Sequence, residues 1–273
     1  MKNLKIGIFD SGLGGLTVLP FFQELLPKEQ VVYFGDTART PYGSKSNRTI
    51  INFALEITQF LEKEGVKAVL IACNTVSAIA IDSLREAFPS IPFFGIVEPA
   101  IEAVAREAEK GERIKIIGTR ATISSKLYEE KLRLLRPDLE LTATACPTFV
   151  PLIEEGLREG PLIKAAIDYH LPATELANCD SLLLACTHYP LLTSAIAELY
   201  PNLKLYNPAA YLIPGLVDYL QQNALLSNKK EAADIFYASD LSNNFRAMIA
   251  ELAPAESQVL CPDNFSNVEE LDN

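Results

Sequence analysis

The sequence is poor in groups that bind metal ions or form disulfides. Its 273 residues include two histidines, His170 and His188, and five cysteines with neither a CxxC spacing nor a His/Cys cluster. A zinc site or a multi-histidine metal centre is therefore not expected. Because the number of cysteines is odd and none are closely spaced in pairs, we expect free thiols in a reducing compartment.

Positive charge and long apolar runs are also scarce. The chain has 24 lysines and arginines against 35 acidic residues, which gives a formal net charge of −11 and a pI near 4.8. Such a surface repels nucleic acids and anionic membranes, so neither is an expected partner. No apolar run reaches the roughly 18 residues of a membrane-spanning helix, and the first residues do not resemble a signal peptide. A cytoplasmic protein is the resulting expectation.

The glycine-rich segment 9–15, Phe-Asp-Ser-Gly-Leu-Gly-Gly, does not match the usual nucleotide-binding motifs. It lacks the G-x-G-x-x-G spacing, and no Walker A lysine follows it. Asp10 can simply cap the following helix. Alternatively, Asp10 can bind an ammonium group or orient a thiol, while the amides of the turn hold a carboxylate. The residues alone leave both roles open.

Short apolar runs alternate with amphipathic segments along most of the chain. The runs are rich in Ile, Val, Leu and Phe, as expected for strands that are buried on both faces. They cover residues 5–10, 66–73, 92–97, 113–118, 181–186 and 234–238. In residues 49–65 apolar side chains recur every three or four positions, which predicts a helix that ends at Gly65. This alternation is typical of an α/β fold with parallel sheets.

Three strand-end junctions recur in the same order in the second half of the chain. Residues 8–11 match 116–119, residues 70–73 match 183–186, and residues 98–100 match 207–209, at offsets of 108, 113 and 109. The nearly constant offset predicts two pseudo-symmetric α/β domains. Because ligands bind at the carboxyl ends of strands in such sheets, we expect the active site in the cleft between the domains.

The repeat also predicts where the domains begin and end. We assign residues 1–97 and 208–255 to the first α/β domain and residues 98–207 to the second. The last segment, 256–273, loses its periodicity and is expected to be a loose tail.

Cys73 and Cys186 each close a predicted strand, in Ala-Cys-Asn-Thr and Ala-Cys-Thr-His. A single cysteine at such a place is usually a small buried hydrophobic residue. Two cysteines at equivalent strand ends, each followed by residues that can cap a helix, favour a chemical role, because a helix N-terminus stabilises a thiolate. A thiol with a pKa of about 8.5 needs only a modest downward shift to serve as a base and then as an acid near neutral pH.

Several other polar residues can bind a small polar ligand, although each also has an ordinary structural interpretation. The 40–44 turn is either a surface loop or a loop that reaches a ligand. The 119–122 segment places threonines at a predicted strand-to-helix junction. Glu154 is by itself a solvated helix carboxylate, and His170 has no companion motif. His188, two residues after the second strand-end cysteine, is placed to tune that thiol.

Six stretches carry a specific set of motifs: GIFDSGLGGLTVL, YFGDTARTPYGSKS, ACNT, GTRATI, CPTFVPLIEEG and ACTHYPLL. They resemble the glutamate racemase family, within the aspartate/glutamate racemase superfamily, and FYASD near residue 240 is similar to a late strand of that family. The resemblance implies two α/β domains with active-site cysteines at their interface, and a racemase that uses neither pyridoxal phosphate nor a metal. One difference is Asn207, where the resemblance leads us to expect an acidic residue.

The resemblance also implies roles for individual residues. Cys73 and Cys186 would be the two bases, the first deprotonating D-glutamate and the second L-glutamate. Asp10, Glu154 and His188 would assist them. The residues implied to bind the carboxylates and the amino group of the substrate are Asp10, Ser11, Pro41, Tyr42, Gly43, Asn74, Thr75, Thr119, Thr122, Thr187 and His188.

The chemistry of racemisation agrees with these roles. A base must lie on one face of the substrate and an acid on the other, and two cysteines across a pseudo-symmetric cleft can provide both. Without a cofactor, hydrogen bonds to the α-carboxylate and exclusion of water must stabilise the carbanion. We therefore expect cofactor-independent interconversion of L- and D-glutamate, with the D-isomer supplying peptidoglycan synthesis. Glutamate is the expected partner, and a homodimer is left open.

Three other functions fit part of the pattern. The nearest is a racemase of aspartate or another small amino acid, because hydroxyls and amides do not report the length of a side chain. A two-lobed binding protein would hold glutamate without needing either thiol. A cysteine hydrolase that uses Cys186 and His188 needs only one cysteine, and it leaves the Cys73 loop without a purpose.

Overall fold

Strands and helices alternate through most of the chain. The computed structural model describes residues 4–262, which form ten β-strands and thirteen α-helices. The strands are β1 (Lys5–Asp10), β2 (Val31–Gly35), β3 (Val66–Ile71), β4 (Phe93–Gly95), β5 (Arg113–Gly118), β6 (Glu140–Ala145), β7 (Ser181–Ala185), β8 (Lys204–Tyr206), β9 (Ile235–Ala238) and β10 (Gln258–Leu260). The helices are α1 (Leu19–Leu25), α2 (Asn47–Lys63), α3 (Asn74–Ile79), α4 (Ile81–Ala87), α5 (Val97–Glu107), α6 (Arg120–Ser124), α7 (Leu127–Leu135), α8 (Phe149–Glu154), α9 (Pro161–His170), α10 (Ala173–Leu176), α11 (Thr193–Leu199), α12 (Ala209–Gln222) and α13 (Asn243–Leu252).

The strands form two parallel sheets that share one internal order. The first sheet has the order β10-β9-β2-β1-β3-β4, and the second has the order β6-β5-β7-β8. Strand β1 lies between β2 and β3 with β4 outside, and β5 lies between β6 and β7 with β8 outside. This correspondence confirms the predicted α/β fold with two pseudo-symmetric halves. We call the six-stranded sheet with its helices the first lobe, and the four-stranded sheet with its helices the second lobe.

The predicted apolar runs contain strands β1, β3, β4, β5, β7 and β9, but they miss the central strand β2 and the edge strands β6, β8 and β10. Strands β6, β8 and β10 lie at sheet edges, where exposed positions carry residues such as Glu140, Lys204 and Gln258. No continuous apolar run marks such a strand. Strand β10 also corrects the expectation of a loose segment from residue 256, because it pairs with β9. The remainder of that predicted tail, from residue 263, lies outside the described residues.

Helix α2 shows how the local sequence determines the elements. Its buried apolar side chains, Ile50, Ala54, Ile57 and Leu61, recur every three or four residues, which confirms the predicted amphipathic helix. The helix ends just before Gly65, whose φ of +76° is a backbone conformation that glycine adopts without strain. Within residues 4–262, no helix has both the length and the apolar composition that a membrane crossing requires.

The chain passes between the lobes at α5 and α12, which pack against each other. One apolar core extends from the first sheet past these helices to the second sheet. Asn207 precedes α12, and its Oδ1 accepts a hydrogen bond of 3.1 Å from the backbone N–H of Ala209. The predicted domain boundaries at residues 97 and 208 fall at the starts of the two helices, and the division into domains stays a prediction.

A buried ion pair stabilises the first lobe near the end of α12. Lys67 Nζ lies 2.7 Å from Glu29 Oε2, and the two side chains are only 6% and 1% exposed. The backbone N–H and the hydroxyl of Ser227 donate to Glu29, and Lys67 also donates to the carbonyl of Leu225 at 2.6 Å. Removing one member of such a pair leaves the other charge buried without compensation.

We expect Lys67→Met to lower the free energy of unfolding by about 3–5 kcal/mol, because Glu29 then remains charged in the interior. Lys5→Met is the control, since it removes a partly exposed pair with Glu64 and should cost less than about 1 kcal/mol. Urea unfolding followed by circular dichroism measures both variants. Equal losses in the two variants would contradict the stabilising role of the buried pair.

Candidate active site

Residues that follow the carboxyl ends of central strands meet at one cleft between the lobes. Cys73 lies just after β3, Thr119 directly after β5 and Cys186 directly after β7. This cleft is called the inner cleft below. Its lining consists of Ser11, Pro41, Tyr42, Gly43, Cys73, Asn74, Thr75, Thr119, Val150, Cys186, Thr187 and His188.

Cys73 is a buried thiol at the N-cap of α3. Its Sγ donates to Ser11 Oγ at 3.6 Å. Burial, reinforced by the charge of Asp10, raises the pKa of the Cys73 thiol to about 12, although hydrogen bonds to the backbone of Val76 and to Ser11 act in the opposite direction. The expectation that the helix N-terminus lowers this pKa is therefore wrong in its net result. Cys73 carries its proton at neutral pH.

Cys186 begins a chain of three polar side chains. Its Sγ lies 3.8 Å from His188 Nδ1, and His188 Nε2 lies 2.6 Å from Glu154 Oε1. Burial by itself lowers the pKa of His188, but the hydrogen bonds to Cys186 and Glu154 together raise it well above the ordinary value. This shift favours the protonated imidazole, which donates one N–H to Cys186 and the other to Glu154.

Asp10 lies behind the inner cleft and does not line it. Its side chain is fully buried, and it accepts hydrogen bonds of 3.1 Å from Thr187 Oγ1 and from the backbone N–H of Gly12. Burial raises the pKa of Asp10, while the charge of His188 and these hydrogen bonds oppose the rise. Because its oxygens already have partners, this placement favours an influence on the Cys73 thiol over direct binding of an ammonium group.

The glycine turn after β1 touches the second lobe directly. A Cβ atom on Gly12 would lie 2.1 Å from Glu154 Oε1, and one on Gly14 would lie 2.3 Å from His188 Nδ1. Only glycine permits such close approach. The backbone N–H of Leu13 also donates to Glu154 Oε1 at 3.0 Å. The glycine turn therefore acts as a contact surface for the second lobe.

Hydroxyl and amide groups line the other side of the inner cleft. The Oγ1 atoms of Thr75, Thr119 and Thr122 lie 2.9 to 3.1 Å from one another. Asn74 Oδ1 accepts a 2.6 Å hydrogen bond from the Tyr128 hydroxyl. Asn74 Nδ2 is buried and has no hydrogen-bond partner within the described part of the chain. A buried donor of this kind is expected to have an acceptor when the protein functions, and a carboxylate would supply one.

Tyr42 contributes to the cleft in a different way from the one expected. Its hydroxyl donates to Asp36, which also accepts hydrogen bonds from Arg39 and Ser239. Burial and the charge of Asp36 raise the pKa of Tyr42 well above its ordinary value, so the hydroxyl keeps its proton. Tyr42 therefore borders the cleft while its hydroxyl is held by Asp36.

Three residues in the predicted set stand behind the lining and hydrogen-bond to it. Asp10 accepts from Thr187, Glu154 accepts from His188, and Thr122 joins the hydroxyl cluster. The other predicted residues all line the inner cleft.

Sequence reasoning missed three residues of the site. Val150 lines the inner cleft, Asp36 holds Tyr42, and Tyr128 holds Asn74. An acidic residue directly after a strand, as at Asp36, was an available signal. Val150 and Tyr128 give no such signal, because an apolar or aromatic residue in a helix is typical of core packing.

The groups in the cleft are suited to moving protons and to binding carboxylates. They comprise two thiols, an imidazole, several hydroxyls and a side-chain amide. Throughout residues 4–262, no three His, Cys, Asp or Glu side chains lie close enough together to hold a metal ion.

Comparison with known proteins agrees with this chemistry. The family model described as Asp/Glu/Hydantoin racemase matches residues 19–213. The glutamate racemase of Aquifex aeolicus (strain VF5) is 40% identical over 246 residues, which cover 90% of this chain and 92% of that protein.

Solved structures extend the likeness to nearly the whole length. Glutamate racemase from Francisella tularensis in complex with D-glutamate superimposes with a TM-score of 0.87 at 35% identity, covering 97% of this chain and 99% of that chain. The enzyme from Thermus thermophilus in complex with beta-chloro-D-alanine gives a TM-score of 0.79 at 38% identity, covering 95% and 97%. The chain therefore belongs to the Asp/Glu/Hydantoin racemase family, among its glutamate racemases.

Proposed function

We propose that the protein interconverts L-glutamate and D-glutamate by proton transfer at Cys73 and Cys186, without a cofactor. The observation that carries the proposal is the placement of two buried thiols after corresponding strands of two similar lobes, in the lining of one cleft. The choice of glutamate as the substrate is supported by the relatives, which are named glutamate racemases, and by one solved structure with D-glutamate bound.

The surroundings of the two thiols suit opposite roles at the start of a turnover. Cys73 holds its proton because its site is buried, so it is ready to act as an acid. Protonated His188 lies beside Cys186 and stabilises a thiolate there, while Glu154 holds the imidazole in position. For the L-to-D direction, the proposal thus assigns the role of acid to Cys73 and the role of base to Cys186.

One turnover then moves two protons. In the L-to-D direction the Cys186 thiolate takes the α-proton, and the electron pair of the broken C–H bond stays on Cα. The Cys73 thiol gives its proton to the opposite face of that carbon. The negative charge ends on Cys73, from which the reverse reaction starts.

The carbanion formed between these steps needs stabilisation from the protein. Hydrogen bonds to the α-carboxylate delocalise its charge, and they are stronger where water is excluded. Asn74 Nδ2 and the hydroxyls of Thr75 and Thr119 are buried donors in the lining of the inner cleft. Ser11 and Thr187 add hydroxyls on the side of the first-lobe turn.

The product suggests the place of the reaction in the cell. D-glutamate is consumed in bacterial peptidoglycan synthesis, so we place the protein at the step that supplies this building block, in the cytoplasm. A homodimer stays a prediction.

We expect Cys73→Ser and Cys186→Ser each to lower racemisation in both directions by at least about a hundredfold, because a hydroxyl holds its proton too tightly to replace a thiol. Binding of glutamate should persist, since serine keeps the shape of the site. Polarimetry of each enantiomer measures turnover, and calorimetry measures binding. Cys179→Ser, at a half-buried cysteine outside the cleft, is the control. Near-normal racemisation by either cleft variant would sink the two-base assignment.

In deuterium oxide, the first D-glutamate formed from L-glutamate should carry deuterium at Cα, while unreacted L-glutamate keeps its proton. The reason is that the donating thiol exchanges with solvent before it meets the substrate, whereas the other thiol only removes a proton. Chiral separation followed by mass spectrometry measures both pools, and a run started from D-glutamate is the control. If deuterium entered the unreacted L-glutamate as fast as the D-glutamate product, a single base would serve both faces of the substrate, and the two-base proposal would be contradicted.

Glu154→Gln should move the alkaline limb of the kcat/KM profile to lower pH by about one unit or more. The carboxylate helps to raise the pKa of His188, so without its charge the imidazole loses its proton at a lower pH. Activity is present while His188 is protonated and declines as pH rises through its pKa. Profiles in both directions measure the shift, with Glu155→Gln, at an exposed neighbour, as the control. An alkaline limb that stays in place would refute the role of this contact.

A further inference from the structure

The inner cleft is closed off from solvent by a contact between the lobes. Its two thiols, Cys73 and Cys186, are only 4% and 5% exposed. A Cβ atom on Gly43 would lie 2.4 Å from the Cβ of Thr119, so the 42–44 turn of the first lobe rests directly on the start of α6 in the second. We call this contact the lip. A substrate bound beside the thiols has to pass a boundary of the cleft, and the lip is one such boundary.

A larger cavity lies on the outer side of the lip. It shares Gly43 with the inner cleft. Its lining comes from both lobes, with Lys45 from the first and Arg120 from the second. A smaller pocket that includes Thr119 and Arg120 adjoins both spaces. We call the larger space the outer cavity.

The charges of the outer cavity contrast with those of the chain as a whole. Its lining contains Lys45 and Arg120 but neither an aspartate nor a glutamate. Among the described residues, no carboxylate forms an ion pair with either cation. The chain nevertheless carries a net charge of −11, which repels an anion such as glutamate. Two cations without an ion-pair partner among the described residues, in a lining free of carboxylates, are expected to give this entrance a local positive potential.

We propose that Lys45 and Arg120 form an outer binding site that captures glutamate through its carboxylates before the lip opens and the substrate enters the inner cleft. The inference rests on the proposed function. Glutamate carries two carboxylates, and two cations contributed by different lobes can each attract one of them. The site raises the local concentration of the substrate at the entrance, and it takes no part in the proton transfers.

The double variant K45Q/R120Q tests the outer site. We expect kcat/KM for each enantiomer to fall about tenfold at low ionic strength with little change in kcat, because capture is weakened and chemistry is not. At about 1 M NaCl the difference from the unmodified protein should nearly vanish, since exposed charges are then screened. The matched control is K28Q/K110Q, which removes the same net charge from two exposed lysines away from the cavity.

An equal loss of kcat/KM in both double variants, or a loss confined to kcat, would overturn the proposal. Calorimetric titration with D-glutamate at low and high salt separates this failure from failure of the proposed function. If K45Q/R120Q binds D-glutamate more weakly and with less salt sensitivity while the unmodified protein does not racemise glutamate, that result would reject the proposed function and support the outer site. Racemisation by the unmodified protein together with unchanged binding and kinetics in K45Q/R120Q would reject the outer site alone.

Discussion

One carboxylate oxygen, Glu154 Oε1, joins the two lobes at the point where the chemistry is arranged. It accepts the backbone N–H of Leu13 from the first lobe and the Nε2–H of His188 from the second. The imidazole in turn reaches Cys186. The position of this thiol relative to the first lobe therefore depends on a contact that the glycine turn makes possible. A side chain at Gly12 would occupy the place of the carboxylate.

The two halves of the protein are alike in topology and different in electrostatics. Corresponding strands deliver Cys73 and Cys186 to the same cleft. Among the described residues, Cys73 has only the Ser11 hydroxyl as a side-chain hydrogen-bond partner, whereas Cys186 has an imidazole held by a carboxylate. The repeated fold places the thiols, and the residues that differ between the repeats give the two thiols different polar partners.

Sequence patterns predicted the parts of the molecule that depend on buried apolar runs and repeated junctions. Strands β1, β3, β5, β7 and β9, helix α2 and the equivalence of Cys73 and Cys186 all follow from such patterns, whereas the buried central strand β2 was missed. The raised pKa of Cys73 could not be predicted from such patterns. It depends on how deeply the thiol is buried, and burial outweighs the effect of the helix N-terminus. The same limit applies to Glu154, which resembles an ordinary helix carboxylate until the lobes are brought together.

The unequal settings of the thiols shape how the proposed enzyme responds to each enantiomer at saturation. In the proposed mechanism, an L-to-D turnover leaves the protein with a thiolate at Cys73. Burial disfavours this form, and proton exchange with solvent returns the protein to the form with a Cys73 thiol. D-glutamate, which reacts with the scarcer form, therefore has a reduced apparent affinity. Since enantiomers have equal free energies, the ratio kcat/KM must be the same for both. A weaker apparent affinity for D-glutamate thus implies a proportionally higher kcat for that enantiomer. Under the proposed mechanism, the two enantiomers would differ in kcat and in KM while sharing one value of kcat/KM.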